Sequence, residues 1–396
     1  MKKLFLLFIA IIPLYSFGID YGIDRLENGE YDALLEGKNL AVLTHAAGLS
    51  KNGNHLIDIL NPKFHLVKIF SPEHGLRTQA DQWVEDGVDA KTGLPVISLY
   101  KRSKAPDPKD LVGIDAVVID LQDVGVRYYT YFSTIAEVMR VTGPLNIQVI
   151  ILDRPNLLGG TIMEGAILDQ DFARRFTGYH TVPTRHAMTL GELAQMVNAE
   201  NKYGSQLIVI PAKGWHRENL ISSIDRPWTP PSPAIVVPEQ VGLYALWGIL
   251  ENFNLAVGRG QTNELAFRVL GAPWISAEEA EQLAQKLNAL GFNGIQFKAH
   301  EWLVTRSVFN GELARGVYLE WNQQEVRTDE FTYKVSQTLY AMFDKKLTIN
   351  NLMIHIMGSK AMFEAIKAQT PWTEFKQKLD QDLEKFKTRS VPYLLY

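Results

Sequence analysis

The sequence predicts an α/β fold: a Rossmann-like, doubly wound, mostly parallel sheet joined to a second, smaller α+β domain. Three observations carry this. Short apolar runs rich in Val and Ile recur from Leu40 to Ile210 without strict alternation, as parallel strands covered on both faces do. Helix-like stretches separate them, which is the order of βαβ units. Finally, Arg226-Pro227-Trp228-Thr229-Pro230-Pro231-Ser232-Pro233 places four prolines in eight residues, a composition excluded from helix interiors and central strands.

Taken in order, the chain opens with Met1-Lys2-Lys3, an apolar run from Leu4 to Tyr15, and the small residues Ser16 and Gly18. This pattern reads as a signal peptide over residues 1–18, with a mature chain starting near Ile19 that is exported to the periplasm or secreted. The run is short of the ~20 residues of a comfortable transmembrane helix, so no membrane contact is expected after cleavage. The strand candidates are Leu40–Leu43, His65–Phe70, Val96–Leu99, Ala116–Leu121, Gln148–Leu152 and Gln206–Ile210. Between them, Asn54–Leu60, Tyr131–Val141 and Thr189–Lys202 read as helices, the last opening with the capping-box pattern Thr189-Leu190-Gly191-Glu192. These define a Rossmann-like catalytic domain over 19–225, with the Pro-rich segment as the crossing. A smaller domain over 226–396 follows, with helices at Val241–Asn252, Ala277–Leu290, Thr332–Phe343 and Phe375–Phe386. Its strand candidates are Gly294–Lys298 and Gly316–Leu319.

Composition narrows the function. With 396 residues, 46% hydrophobic and 21% charged, the chain fits two packed domains. A net charge of −4 argues against nucleic acid as partner, because phosphate neutralisation needs clustered Lys and Arg. The absence of cysteine excludes disulfides, thiol catalysis, Cys-based zinc sites and a lipoprotein anchor.

The chemistry gathers where strands end. Glu73 follows His65–Phe70, Asp120 closes Ala116–Leu121 with Gln122 and Asp123 behind it, and Asp153 closes Gln148–Leu152 ahead of Arg154. In a parallel sheet these carboxylates share one edge, where paired acids can divide acid and base or nucleophile roles. The competing reading is that strand-end Asp residues cap helices and turns. His74 and His186 sit in polar turns, and Arg185-His186 precedes a helix start. Arg127, Tyr129 and Tyr131 set a guanidinium and rings beside the acidic pair, suited to a carboxylate-bearing sugar; a buried ion pair of Arg127 with Asp120 or Asp123 is the alternative. Walker A, HExxH, Gly-x-Ser-x-Gly and dinucleotide fingerprints are absent from the sequence, and no cofactor is called for.

These motifs resemble a bacterial family first described only as DUF1343 (YbbC-like), whose members are exo-β-N-acetylmuramidases of the NamZ type. The similar elements are Ser71-Pro72-Glu73-His74-Gly75, Thr92-Gly93-Leu94-Pro95, Ser98-Leu99-Tyr100, Asp120 to Gly125 with Arg127 and Tyr129-Thr130-Tyr131, and Leu152-Asp153-Arg154-Pro155-Asn156. They continue with Glu164-Gly165, Arg185 to Ala194, Pro231-Ser232-Pro233, Gly258-Arg259-Gly260, Gly271 to Trp274 and Tyr393 to Tyr396. The chain departs from the family pattern at Thr78, Ala234-Ile235-Val236, Asn252-Phe253 (within Glu251-Asn252-Phe253-Asn254, where the family reads Glu-Gly-Thr-Asn) and Gln261. The resemblance implies an active site in the cleft between two domains and release of non-reducing terminal N-acetylmuramic acid (MurNAc) from peptidoglycan-derived disaccharides or glycan ends. On this reading Glu73 is the general acid with His74 tuning it. Asp120 or Asp123 positions water or the 2-acetamido group. Arg127, Arg154 and Arg185 bind the lactyl carboxylate, Tyr129 and Tyr131 line the sugar site, and Gln122, Asp153, Glu164 and His186 complete it. Two rival readings stand beside it: a non-catalytic cell-wall sugar-binding protein, and a metal-dependent hydrolase using His45, His74, Asp120 or His186.

Overall fold

The computed structural model describes residues 18–76, 85–100, 104–259, 261–262, 264–306, 308–323, 326–348 and 351–396. Residues 1–17 of the expected leader, and Thr78, lie outside them. The first domain carries strands β1 (Asn39–Thr44), β2 (His65–Ser71), β3 (Gly87–Val88), β4 (Pro95–Ser98), β5 (Ala116–Asp120), β6 (Gln148–Leu152) and β7 (Gln206–Ile210). They form one seven-stranded sheet in the order β3-β4-β2-β1-β5-β6-β7. Pairing is parallel from β4 to β7, with β3 antiparallel at the edge. The strand order runs outward in both directions from β1 and β5, so the sheet is doubly wound with its switch point there. Every apolar run expected to be a strand in this domain forms one. β3 has only two residues, too few to leave a periodic signal.

The helices of this domain are α1 (Gly22–Glu27), α2 (Asp32–Leu35), α3 (Leu56–Leu60), α4 (Tyr131–Thr142) and α5 (Leu190–Glu200). The capping box forms as its sequence demands: the Glu192 N–H donates to Thr189 Oγ1 (3.2 Å) and the Thr189 N–H to Glu192 Oε2 (3.0 Å). Gly191 lets α5 approach the sheet, since a Cβ there would lie 2.5 Å from Val209 Cγ1 and 2.8 Å from the Asp153 carboxyl carbon.

The second domain runs through α6 (Glu239–Trp247), β8 (Val269–Ala272), α7 (Ala277–Asn288), β9 (Ile295–Leu303), β10 (Leu313–Trp321), α8 (Thr328–Phe343), α9 (Asn351–Met357), α10 (Lys360–Lys367) and α11 (Trp372–Ser390). Its antiparallel sheet has the order β8-β10-β9. The two strands expected here are longer than their apolar cores suggested, because a hairpin covered on one face tolerates the exposed Lys298 and Glu301 beside the buried Phe297 and Trp302. Short β8, and α9 and α10 on either side of Gly358, carried no signal strong enough to be read.

One contiguous apolar core joins the domains, running from Val117 and Ile119 on the sheet through Tyr128 and Ile135 to Trp247, Phe297 and Phe331. A second cluster, with Leu40, Val42, Val118 and Ile150, fills the opposite face of the sheet. The Pro-rich segment is packed rather than a free linker: the Tyr131 hydroxyl donates to the Pro231 carbonyl (2.6 Å) and Ser232 is buried. The distal chain end docks on the first domain, where the Tyr396 hydroxyl donates to Asp153 Oδ2 (2.8 Å).

Candidate active site

At the end of β2 the chain turns sharply. His74 (φ +71°) and Gly75 (φ +75°) are both left-handed, and the Gly75 N–H donates back to the Pro72 carbonyl (3.1 Å). A side chain other than glycine in that region is strained, a device concentrated at functional sites. The turn lifts Glu73 off the sheet edge toward α4. There the hydroxyl of Thr130, the residue preceding the helix, donates to Glu73 Oε2 at 2.5 Å instead of capping its own helix. The Lys104 ammonium donates to the Tyr100 carbonyl (2.5 Å) and lies 3.3 Å from the centre of the Tyr100 ring. Burial pulls the Lys104 pKa below its ordinary value, and the nearby charge of Glu73 acts against that pull.

Glu73 and His74 open into a cavity of about 580 Å³, a size suited to a sugar ligand. The first domain contributes Tyr100, Tyr128, Tyr129, Thr130, Arg175 and Phe176, and the Pro-rich crossing adds Ser232, Ala234 and Ile235. The second domain closes it with Tyr244, Glu251, Arg259, Phe267, His355 and Ile356. Glu251 is paired with Arg259 at 3.5 Å. Tyr129 sits edge-on to Tyr131 (4.9 Å) and Tyr244 (6.1 Å), giving apolar ring surface next to two carboxylates.

Of the residues put forward from the sequence, Glu73, His74 and Tyr129 line this cavity and the others do not. Asp120 is fully buried under Arg154, whose Nε and Nη2 reach its two oxygens at 2.5 and 2.8 Å. Arg154, with Gln122, faces a separate recess of about 150 Å³ beside Tyr21 and Trp228. Gln122 itself donates to the carbonyls of Asp123 (2.9 Å) and Pro155 (3.1 Å). Asp153 caps α5, accepting from the Gly191 N–H (2.8 Å) and the Thr189 hydroxyl (2.7 Å), so the capping alternative describes it. Glu164 accepts from the N–H (3.1 Å) and hydroxyl (2.7 Å) of Thr328 at the start of α8, and Arg185 donates to the Leu158 carbonyl (2.6 Å). Tyr131 is committed to Pro231.

Arg127 forms neither the expected substrate contact nor the alternative ion pair. Its guanidinium donates to the carbonyls of Ala166 (2.7 Å), Val182 (3.0 Å), Ile356 (2.9 Å) and Met357 (2.9 Å). His186 is buried beside it; burial, then the Arg127 charge, pushes its pKa down to about 3, and its Nδ1 accepts from the Met188 N–H (3.2 Å). His45 is buried too, its pKa well below the ordinary value because burial disfavours the cation. Among the described residues no three His, Asp or Glu side chains converge as a metal-ligand set.

Asp123 accepts from the Gly125 N–H (2.7 Å) at Oδ1, while Oδ2 is buried without a partner among the described residues. Burial raises its pKa to about 7. The unfolded chain releases this proton near pH ~3.9, so folding takes up a proton between that value and about 7. Its contribution to stability is therefore greatest at low pH and falls as pH rises through that window. Asp123→Asn should gain stability over the wild type, with the gain at pH 8 exceeding that at pH 5 in urea unfolding. An equal difference at both pH values would contradict the assignment.

Sequence reasoning passed over Arg175, Phe176, Tyr244 and His355, which carry no local motif. Tyr100, Ser232 and Arg259 lie in stretches singled out by resemblance but were given no role, and Glu251 keeps the family's residue just before the departure at Asn252-Phe253 and was likewise given none.

Residues 40–239 match the family model for Exo-beta-N-acetylmuramidase NamZ, N-terminal, and residues 242–396 match the corresponding C-terminal model. The chain is similar to the peptidoglycan beta-N-acetylmuramidase NamZ of Bacillus subtilis (strain 168), with 33% identity over 386 residues covering 96% of this chain and 91% of that protein. It also resembles the crystal structures of two DUF1343 family proteins from Bacteroides fragilis. Their TM-scores are 0.83 and 0.75 at 31% and 27% identity, each covering 96% of this chain and 99% of the other. Spanning both domains and nearly the whole length, these matches place the chain in the NamZ family of exo-β-N-acetylmuramidases.

Proposed function

We propose that this glycosidase is exported and releases non-reducing terminal MurNAc from peptidoglycan-derived disaccharides or glycan ends. The observation that carries the reading is a sugar-sized cavity, walled by both domains of a NamZ-family chain, with Glu73 held at its edge by a strained turn. Export rests on the leader pattern of residues 1–18.

Glu73 is the general acid, giving its proton to the glycosidic oxygen as the C1–O bond breaks and the bonding pair moves to oxygen. Asp120 and Asp123 do not line the cavity, so the second carboxylate is Glu251, supplied by the other domain. The Arg259 guanidinium favours its ionised form, and that negative charge stabilises the positive charge developing at C1. Water then adds to C1 and gives its proton to the Glu73 carboxylate, restoring the acid and leaving free MurNAc and a glycan one sugar shorter. Tyr129 and Tyr244 offer ring surface to the sugar.

The test uses protein recovered after export, with intact mass placing its first residue near Ile19. It is incubated with MurNAc-β-1,4-GlcNAc, where GlcNAc is N-acetylglucosamine, and released sugars are read by mass spectrometry with and without EDTA. Equimolar MurNAc and GlcNAc, unaffected by EDTA, is the expected result. Binding without release would instead indicate a sugar-binding protein, and loss of release with EDTA a metal-dependent enzyme.

A further inference from the structure

The arginines that the sequence offered for the lactyl carboxylate are spent elsewhere: Arg127 on carbonyls, Arg154 on Asp120, Arg185 on Leu158 and Glu164. Among the cations of the cavity wall, Arg259 is paired with Glu251. Arg175 differs: among the described residues its guanidinium makes no hydrogen bond or ion pair, and it stands exposed at the cavity rim.

Its backbone is nonetheless fixed. Arg175 and Gly178 exchange N–H···O=C bonds (3.1 Å each), and Arg174, at φ +62°, donates its N–H to the Tyr179 carbonyl (2.8 Å). The Ser133 hydroxyl pins the turn by donating to the Phe176 carbonyl (2.7 Å). Beside this turn, on α9 of the other domain, His355 stands edge-on to Phe172 (4.6 Å), and its Nδ1 has no partner among the described residues. The two groups are close enough that the Arg175 charge adds to burial in lowering the His355 pKa. An Arg175 guanidinium without an internal partner among the described residues and the His355 side chain thus line the same cavity, one from each domain.

We infer that Arg175, assisted by His355, binds the lactyl carboxylate that distinguishes MurNAc from GlcNAc, and so determines the specificity of the site. This rests on the muramidase reading. A guanidinium fork suits a carboxylate, and the hydrogen-bonded turn removes the backbone share of the ordering cost. Arg175 is a specificity residue rather than a catalytic one, since it does not reach the bond that breaks.

The test compares MurNAc-β-1,4-GlcNAc with the same disaccharide carrying a lactyl carboxamide, using the wild type, Arg175→Ala and Arg175→Lys. For the wild type, kcat/KM should fall roughly ten- to hundredfold from acid to carboxamide, as loss of a charge-assisted hydrogen bond would give. Arg175→Ala should lose a similar factor on the acid, chiefly through KM, and little on the carboxamide. Arg175→Lys should recover part of the loss, because charge returns without the fork. Because Arg175 makes no internal side-chain bond, the alanine variant keeps its fold. Equal losses on both substrates, or unchanged discrimination, would overturn the assignment. A wild type that cleaves neither substrate removes the muramidase reading, and this inference with it.

Discussion

Replacing Glu73 by Gln should lower kcat on MurNAc-β-1,4-GlcNAc by roughly 10²- to 10⁴-fold, the usual worth of a positioned general acid. The amide cannot supply a proton, yet its carbonyl oxygen still accepts from the Thr130 hydroxyl that holds the carboxylate now. The unfolding midpoint should therefore stay close to that of the wild type, because Glu73 is half-exposed at a cavity rim. An aryl MurNAc glycoside sharpens the measurement: its leaving group needs little protonation, so the variant should lose much less on that substrate. Near-normal kcat on the disaccharide would remove Glu73 from the acid role. Equal losses on both substrates would make it a positioning residue instead.

The largest effect on stability is expected from Arg127→Met. The side chain crosses from the first domain into the second, where its Nη2 reaches the carbonyls of Ile356 and Met357 at the end of α9. Burial lowers its pKa to about 10, so it stays charged at neutral pH, and carbonyl dipoles take the place of a counter-ion. Gly358 is part of the same construction: at φ +80°, a Cβ there would sit 2.2 Å from Arg127 Nη2. Methionine fills much of the volume but takes the donor from the buried carbonyls of Ala166, Ile356 and Met357, while Val182 keeps the Leu168 N–H (3.1 Å). The expected loss is at least about 3 kcal/mol, given the cost of unpaired buried groups. It would appear as a lower urea midpoint together with a higher KM, since Ile356 and His355 belong to the cavity wall. An unchanged midpoint would show that the clamp contributes nothing to domain docking.

Local physics explains which elements were legible in the sequence. The strands announce themselves through β-branched apolar runs, and α5 through Thr189 and Glu192, because those signals act within a few residues. The C-terminal strands were only partly read, because a one-sided hairpin mixes Lys298 and Glu301 with its apolar positions. Family resemblance drew attention to the right stretches, Pro231-Ser232-Pro233 and Gly258-Arg259-Gly260 among them, without saying which side chains face the cavity.

The sequence by itself determined the sheet and placed Glu73 at the end of β2, where it lines the cavity. Only the tertiary structure decided which charges remain available. Arg127 finds its carbonyl partners 39, 55, 229 and 230 residues away, and Asp120 finds Arg154 34 residues away. Arg175, which no motif marks, is left without an internal side-chain partner among the described residues. A buried charge must be satisfied by whatever the fold brings to it. The groups left over for a substrate are known only once every such demand has been met in three dimensions.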